Sequence, residues 1–441
     1  MNSVKETRNE RMAWWHDEKF GMFVHWGLFS HIGRGEQVLA RDLMPLEEYE
    51  AHAADFKPDP EWAGRIAEQA VASGATYVVL TTRHHDGYCL WDTGTHEYNA
   101  PNTGPGRDLV REFTDTMRKH GLRVGLYYSV VNWRWKGYWD PEAYPEDLPK
   151  IVDEMHAQVT ELMTHYGKID ILWYDAPSPP GKRSPGAFGY VGNPVSETSA
   201  EFYRSAELNA KVRKLQPHIL INNRSGTPED FGTPEQRIKP SEDGGAWEAC
   251  MTLNFAPNWS NVHHSVADKT PGQVLFNFIN AVRLGGNFLF NVGPDGKGAL
   301  CKRDSEALRQ IGAWLNRNGE AIYGTSPGRI YDEANQGACF HYGMFTQKGS
   351  TAYLTFFYYP EDYVVISKIA PGIRSAEILG TGQPLDVTPM SNARWKLSGL
   401  PEQMPDELAA VIKIEFEGEP YLTHYSNADW LEGTFVPQQD S

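Results

Sequence analysis

The chain has 441 residues, 41 of them basic and 57 acidic, giving a formal charge of −16. Its 40% hydrophobic and 22% charged shares are those of a globular protein with a large core, which excludes a disordered chain. The acidic balance, with no Lys/Arg cluster, argues against a nucleic-acid partner. No apolar run is long enough to span a membrane, and the polar start MNSVKETRNERMAWW has no secretory apolar region. A cytoplasmic protein without a membrane partner is therefore expected.

Along the chain, β-branched and aromatic runs alternate with helical stretches. Strands are expected at 20–25, 76–84, 123–130, 169–176, 218–224, 247–254 and 286–292. Helices at 60–73, 107–120, 148–166 and 301–318 end at Gly74, Gly121, Gly167 and Gly319, each suited to a left-handed cap. This βα alternation, with strands apolar throughout, predicts a parallel sheet buried on both faces. No glycine-rich phosphate loop follows the first strand, so a barrel fits better than an open doubly wound sheet. The eighth strand is expected in the Gly/Pro-rich stretch before Gly272, or as an irregular segment. Short strand-like runs at 339–345, 352–359, 363–366, 376–379, 393–397 and 410–416 predict an all-β module. The fold class is thus α/β: a (β/α)8-like TIM barrel over 1–328, with room for irregularity, then a C-terminal β-sandwich over 329–441. Cys89, Cys250, Cys301 and Cys339 form no CxxC pair and are expected as free thiols.

Polar residues gather at the C-terminal ends of the strands, which in a barrel open on one face. They are His25; His84, His85 and Asp86; Tyr127 to Ser129; Asp175; and Asn222, Asn223 and Arg224. Period-two alternation turns Trp173 and Asp175 to the same side. His84 and His85 point to opposite sides unless the strand breaks there, which makes them a poor metal pair. Fourteen Trp, 21 Tyr and 19 Phe supply flat rings of the kind that stack on a sugar. Hydrolysis of a glycosidic bond needs a second carboxyl group beside Asp175. Glu235, Glu242 and Glu248 are the candidates, and spacing leaves the three open.

The segments KFGMFVHWGLFS (19–30), LTTRHHDGYCLWD (80–92), GLYYS (125–129), LWYDA (172–176), WEACMTLN (247–254) and NGEAIYG (318–324) resemble α-L-fucosidases of glycoside hydrolase family 29. The resemblance implies a barrel followed by a β-sandwich. It implies a retaining, exo-acting α-L-fucosidase that cleaves terminal α-L-fucosyl linkages of oligosaccharides or glycoconjugates by double displacement, through a covalent fucosyl-enzyme. The partner is then a fucosylated glycan, and neither metal nor organic cofactor is required. By position, Asp175 resembles the family's nucleophile, and Glu235, about a dozen residues after Arg224, its general acid/base. His25, Glu36, His84, His85, Tyr127, Trp173 and Arg224 resemble its sugar ligands. Phe23 and Trp259 look placed around the methyl group of fucose. Glu36-Gln37-Val38 stands where the family has Glu-Trp-Tyr, and Trp259-Ser260-Asn261 where it has Trp-Gly-Tyr. The rival readings are a metal-dependent barrel hydrolase using His25, His84 and Asp175, and a non-catalytic or differently specific sugar-binding barrel protein.

Overall fold

The computed structural model describes residues 2–182, 195–256, 258–265, 267–330, 343–360, 362–390 and 394–423. Seven strands form a curled, TIM-like sheet: β1 (Phe20–Val24), β2 (Tyr77–Arg83), β3 (Arg123–Ser129), β4 (Ile171–Asp175), β5 (Leu220–Ile221), β6 (Glu248–Thr252) and β7 (Asn287–Val292). Their order is β5-β4-β3-β2-β1-β7-β6, and β1 to β5 pair in parallel. Every residue of β1, β2, β6 and β7 is buried, as expected of strands covered on both faces. The expected helices form at Trp62–Ser73, Leu109–Lys119, Asp147–His165 and Lys302–Asn318. Gly74, Gly121 and Gly167 take φ of 83°, 75° and 70°, the left-handed turn that stops a helix and returns the chain to the sheet.

The eighth strand is irregular, and it lies at 231–236, well ahead of the stretch leading to Gly272. Isolated parallel bridges join Asn222 to Phe231, Gly232 to Trp247 and Glu235 to Cys250. The segment 231–236 therefore runs between β5 and β6. Its backbone bonds both neighbours: Asn223 N–H reaches Phe231 O at 3.0 Å, and Glu248 N–H reaches Gly232 O at 2.9 Å. Proline at 234 removes a donor that a regular strand would use.

Packing divides the chain into two units, 1–14 with 20–269 and 289–309, and 15–19 with 270–288 and 310–441. The second holds β8 (Gly343–Lys348), β9 (Thr351–Phe356), β10 (Tyr363–Ser367), β11 (Ile369–Ala370), β12 (Ile373–Ile378), β13 (Gln383–Met390), β14 (Arg394–Ser398), β15 (Ala410–Phe416) and β16 (Tyr421–Leu422). Seven of these make an antiparallel sheet in the order β10-β14-β13-β12-β15-β9-β8, and β11 pairs with β16. Phe345, Leu354, Ile366, Leu397, Ile412 and Phe416 share one buried core, that of a β-sandwich. The expected run at 339–345 is described only from Gly343, and Cys339 lies outside the described residues; the other three cysteines are free.

Candidate active site

All the candidate residues lie in the first unit, and the sheet register explains how they meet. Tyr127 of β3 is the direct partner of Trp173 of β4, and their rings stack at 5.8 Å. Two residues on, Ser129 faces Asp175. The Asp175 carboxylate accepts from Arg224 Nη1 at 2.7 Å and from the Tyr127 hydroxyl at 2.8 Å, with His85 Nε2 at 3.9 Å. Burial alone would push this carboxyl up. The Arg224 guanidinium, with His85 and Tyr127, outweighs burial and holds Asp175 well below the usual carboxylate range. It is ionised at any physiological pH.

Arg224 organises the other side. Its Nε donates to Thr233 Oγ1 at 2.8 Å and its Nη2 reaches Glu235 Oε2 at 2.9 Å. The guanidinium lies over the Trp173 ring, 4.7 Å from its centroid. One cation thus joins the two carboxylates, and the irregular strand delivers one of them. The Glu235 side chain is 26% exposed, against 17% for Asp175, so both reach the solvent at the mouth. Glu242 does not join them: 84% exposed, it pairs with Lys239 at 2.7 Å, which lowers its pKa. Glu248 does not reach the mouth either. It is fully buried in β6, where the Tyr77 hydroxyl and the Trp173 indole N–H donate to it.

The imidazoles are fixed by Asn291, which sequence reading missed, and by Ser129. Asn291, near the end of β7, donates through its amide to Trp259 O at 2.6 Å, so its carbonyl oxygen faces His25 Nδ1 at 2.6 Å. His25 must then carry its proton on Nδ1, which leaves Nε2 as an acceptor. Burial, reinforced by His84, pushes its pKa down to about 3, so the ring is neutral. Ser129 Oγ donates to Val131 O at 3.0 Å and therefore accepts from His85 Nδ1 at 2.6 Å. The signal for Asn291 was available, since it too is a polar residue at a strand end. β2 stops at Arg83, so His84 and His85 do not point to opposite sides; their rings are 4.0 Å apart. Burial also drives the His84 pKa well below its usual value.

Glu36 is 2% exposed and accepts the backbone N–H groups of Trp259 at 2.9 Å and Ser260 at 3.2 Å. Burial raises its pKa, and those two bonds oppose the rise. Phe23 completes an apolar wall, with ring centroids 4.9 Å from Trp173 and 6.1 Å from Trp259.

Among the described residues, ligand atoms of His84, His85 and Asp175 lie within 4.8 Å of one another, a trio that differs from the His25, His84 and Asp175 of the rival metal reading. Both Asp175 oxygens already accept from Arg224 and Tyr127, and a cation there would sit against the guanidinium.

Aromatic rings, neutral imidazoles and a pair of carboxylates gathered at the mouth of a barrel are the make-up of a barrel glycoside hydrolase. The α-L-fucosidase family model matches residues 2–320. Tissue α-L-fucosidase from Mus musculus is 28% identical over 93% of this chain and 91% of its own length. The solved structure of α-L-fucosidase isoenzyme 1 from Paenibacillus thiaminolyticus superposes with a TM-score of 0.81 at 33% identity, over 93% of this chain and 100% of that one. The Thermotoga maritima α-fucosidase in complex with a mechanism-based inhibitor gives 0.72 at 27% identity, over 93% and 98% of the two chains. The chain belongs to the α-L-fucosidase family, glycoside hydrolase family 29.

Proposed function

We propose that this enzyme is a retaining, exo-acting α-L-fucosidase that releases terminal α-L-fucosyl residues from oligosaccharides or glycoconjugates by double displacement. The observation that carries this reading is the pair Asp175 and Glu235 on one guanidinium, the first held ionised and the second at the solvent edge. A shared guanidinium keeps the carboxyl groups close, which favours the ~5–5.5 Å spacing of retaining pairs over the ~6.5–9.5 Å of inverting ones.

In the first step an Asp175 oxygen bonds to the anomeric carbon as the glycosidic C–O bond breaks. Glu235 gives its proton to the departing oxygen. In the second, Glu235 takes a proton from water, whose oxygen displaces Asp175 and releases fucose with its α configuration retained. Positive charge develops on the sugar ring in both transition states, so the adjacent ionised Asp175 favours them over the ground state. In this reading His25 Nε2 accepts a sugar hydroxyl, while Phe23, Trp173 and Trp259 give the C5 methyl an apolar wall. The aromatic and histidine side chains of this pocket are no more than 8% exposed, which suits a chain end better than a chain interior.

An aryl fucoside should give α-fucose as the first-formed product by NMR. Asp175→Ala should lower kcat by roughly 10³-fold or more, and azide should restore turnover as a glycosyl azide. A first-formed β anomer, or near-normal turnover in the folded variant, would overturn the reading. In an aryl glycoside panel, fucosides should be cleaved ahead of galactosides, xylosides and arabinosides.

A further inference from the structure

Beside the sugar pocket, the loops that follow β1, β6 and β7 enclose a second, open cleft of about 880 Å³ on the same barrel face. Its charge is opposite to that of the molecule. Lys57, Lys297, Lys302 and Arg303 line it against Asp55 and Asp295, in a chain of net −16. Arg303 is committed to an ion pair with Asp268. Asp295 Oδ1 is occupied by the backbone N–H groups of Lys297 and Ala299, both at 2.9 Å. The three lysines are exposed, and no ion pair engages them among the described residues.

The cleft and the pocket share one hydrogen-bonded wall. Arg34 bridges Val262 in antiparallel fashion, flanked by Gly35 N–H to Asn261 O at 3.3 Å and His263 N–H to Gly33 O at 3.2 Å. At one end of this short ladder Glu36 holds the Trp259 backbone in the sugar site. At the other, His263 packs on Gly33, where a Cβ would meet its ring at 2.4 Å. His263 stands four positions after Trp259, so their Cα atoms lie at most about 14 Å apart along that strand. A sugar or two of leaving glycan, emerging from a pocket that holds the terminal residue, reaches that far.

We propose that this cleft is an accessory subsite for an anionic substituent, a sulfate ester or a carboxylate, on the glycan from which fucose is removed. The inference rests on the fucosidase reading of the pocket. Three unpaired ammonium groups around an oxyanion add a favourable Coulomb interaction in a field that elsewhere repels it. Because the lysines are solvated, each contributes little, and the sum corresponds to roughly five- to tenfold in kcat/KM.

The test compares three fucosides of identical linkage whose leaving glycan is neutral, sulfated or carboxylated by a sialic acid. Wild type should favour an anionic glycan over the neutral one by roughly five- to tenfold at low ionic strength, and added salt should erode the preference. A gain with only one of the two anions identifies which group the cleft takes. The triple variant Lys57→Glu, Lys297→Glu, Lys302→Glu should abolish the preference and cleave an aryl fucoside at the wild-type rate. Equal kcat/KM for neutral and anionic glycans in wild type, or a preference that survives high salt or the triple variant, would overturn the subsite. Absence of turnover with every fucoside, aryl included, would overturn the fucosidase reading and the subsite with it. The salt series on wild type decides the matter even if the variant misfolds.

Discussion

Arg224 touches both carboxylates, but the two are held differently. Asp175 accepts a second bond from Tyr127 and sits deep beside Trp173. Glu235 hangs from a strand interrupted by proline, at the solvent edge. That asymmetry matches the division of labour proposed for them, since a nucleophile must stay charged and aimed while an acid/base must trade protons with a leaving group and with water. Loss of a general acid matters only where the leaving group needs protonation. Glu235→Ala should therefore lower kcat/KM on natural fucosides by roughly 10²–10⁴-fold, yet retain much of the glycosylation rate with a dinitrophenyl fucoside. A pre-steady-state burst should appear, because water attack is then unassisted, and azide should speed turnover. Glu242→Ala should behave as wild type, being an exposed partner of Lys239. Glu248→Ala should lose stability and activity alike for every leaving group, because it strips the buried Tyr77 and Trp173 donors of their acceptor. Leaving-group dependence at either of those positions, with none at Glu235, would move the role there.

At the scale of elements, what could be read in the sequence was what burial dictates. Strands covered on both faces are continuous apolar runs, so their polar ends stood out, and with them His25, His84, Asp175 and Arg224. What escaped was structure held by side chains. The run at 218–224 forms only two residues of strand, because the Asn222 amide takes over from the ladder, accepting Tyr174 N–H and donating to Tyr174 O, both at 2.9 Å. The strand carrying Glu235 has glycine, threonine and proline at 232–234 and no alternation to reveal it. β13 escaped for a related reason: it contains Pro384 and Pro389 and is mostly exposed. The turn after β2 adds a pH response of its own. Asp86 is 1% exposed; burial raises its pKa to about 6, against the bonds donated by Tyr49 at 2.6 Å and by Tyr88 N–H. Its unfolded value is ~3.9, so the folded state holds a proton that the unfolded state has lost. The stability this brings is fully present below pH ~4 and is lost as pH rises through about 6. Buried histidines such as His25 respond in the opposite sense, so the comparison must be between variants. Relative to wild type, Asp86→Asn should gain about 1–3 kcal/mol between pH 5 and 7.5, read from urea midpoints. A difference that stays constant across that range would show that Asp86 is ionised throughout.

At the scale of the whole molecule, every residue proposed for chemistry or binding precedes 328, and the division of the chain at that point is proposed as one of function. Packing divides it elsewhere. Helix Pro271–Arg283 and the second half of Lys302–Asn318 belong to the unit of the sandwich strands. Phe276 meets Phe357 with ring centroids 4.9 Å apart. Trp314, fully buried, donates its indole N–H to Ala409 O at 2.7 Å, and Arg317 pairs with Asp406 at 2.7 Å. A chain cut after Gly328 would keep these helices and lose what covers them. Each large apolar side chain so uncovered costs about 1.5–3 kcal/mol, and Trp314 would also lose its acceptor. A few such losses equal the whole stability of a typical domain, about 5–15 kcal/mol. The truncated chain should therefore be insoluble or lack a cooperative thermal transition, although it contains every site residue. A soluble 1–328 fragment with the full-length melting temperature and kcat on an aryl fucoside would show instead that the barrel is a self-sufficient folding unit, and that these helices carry their own stability.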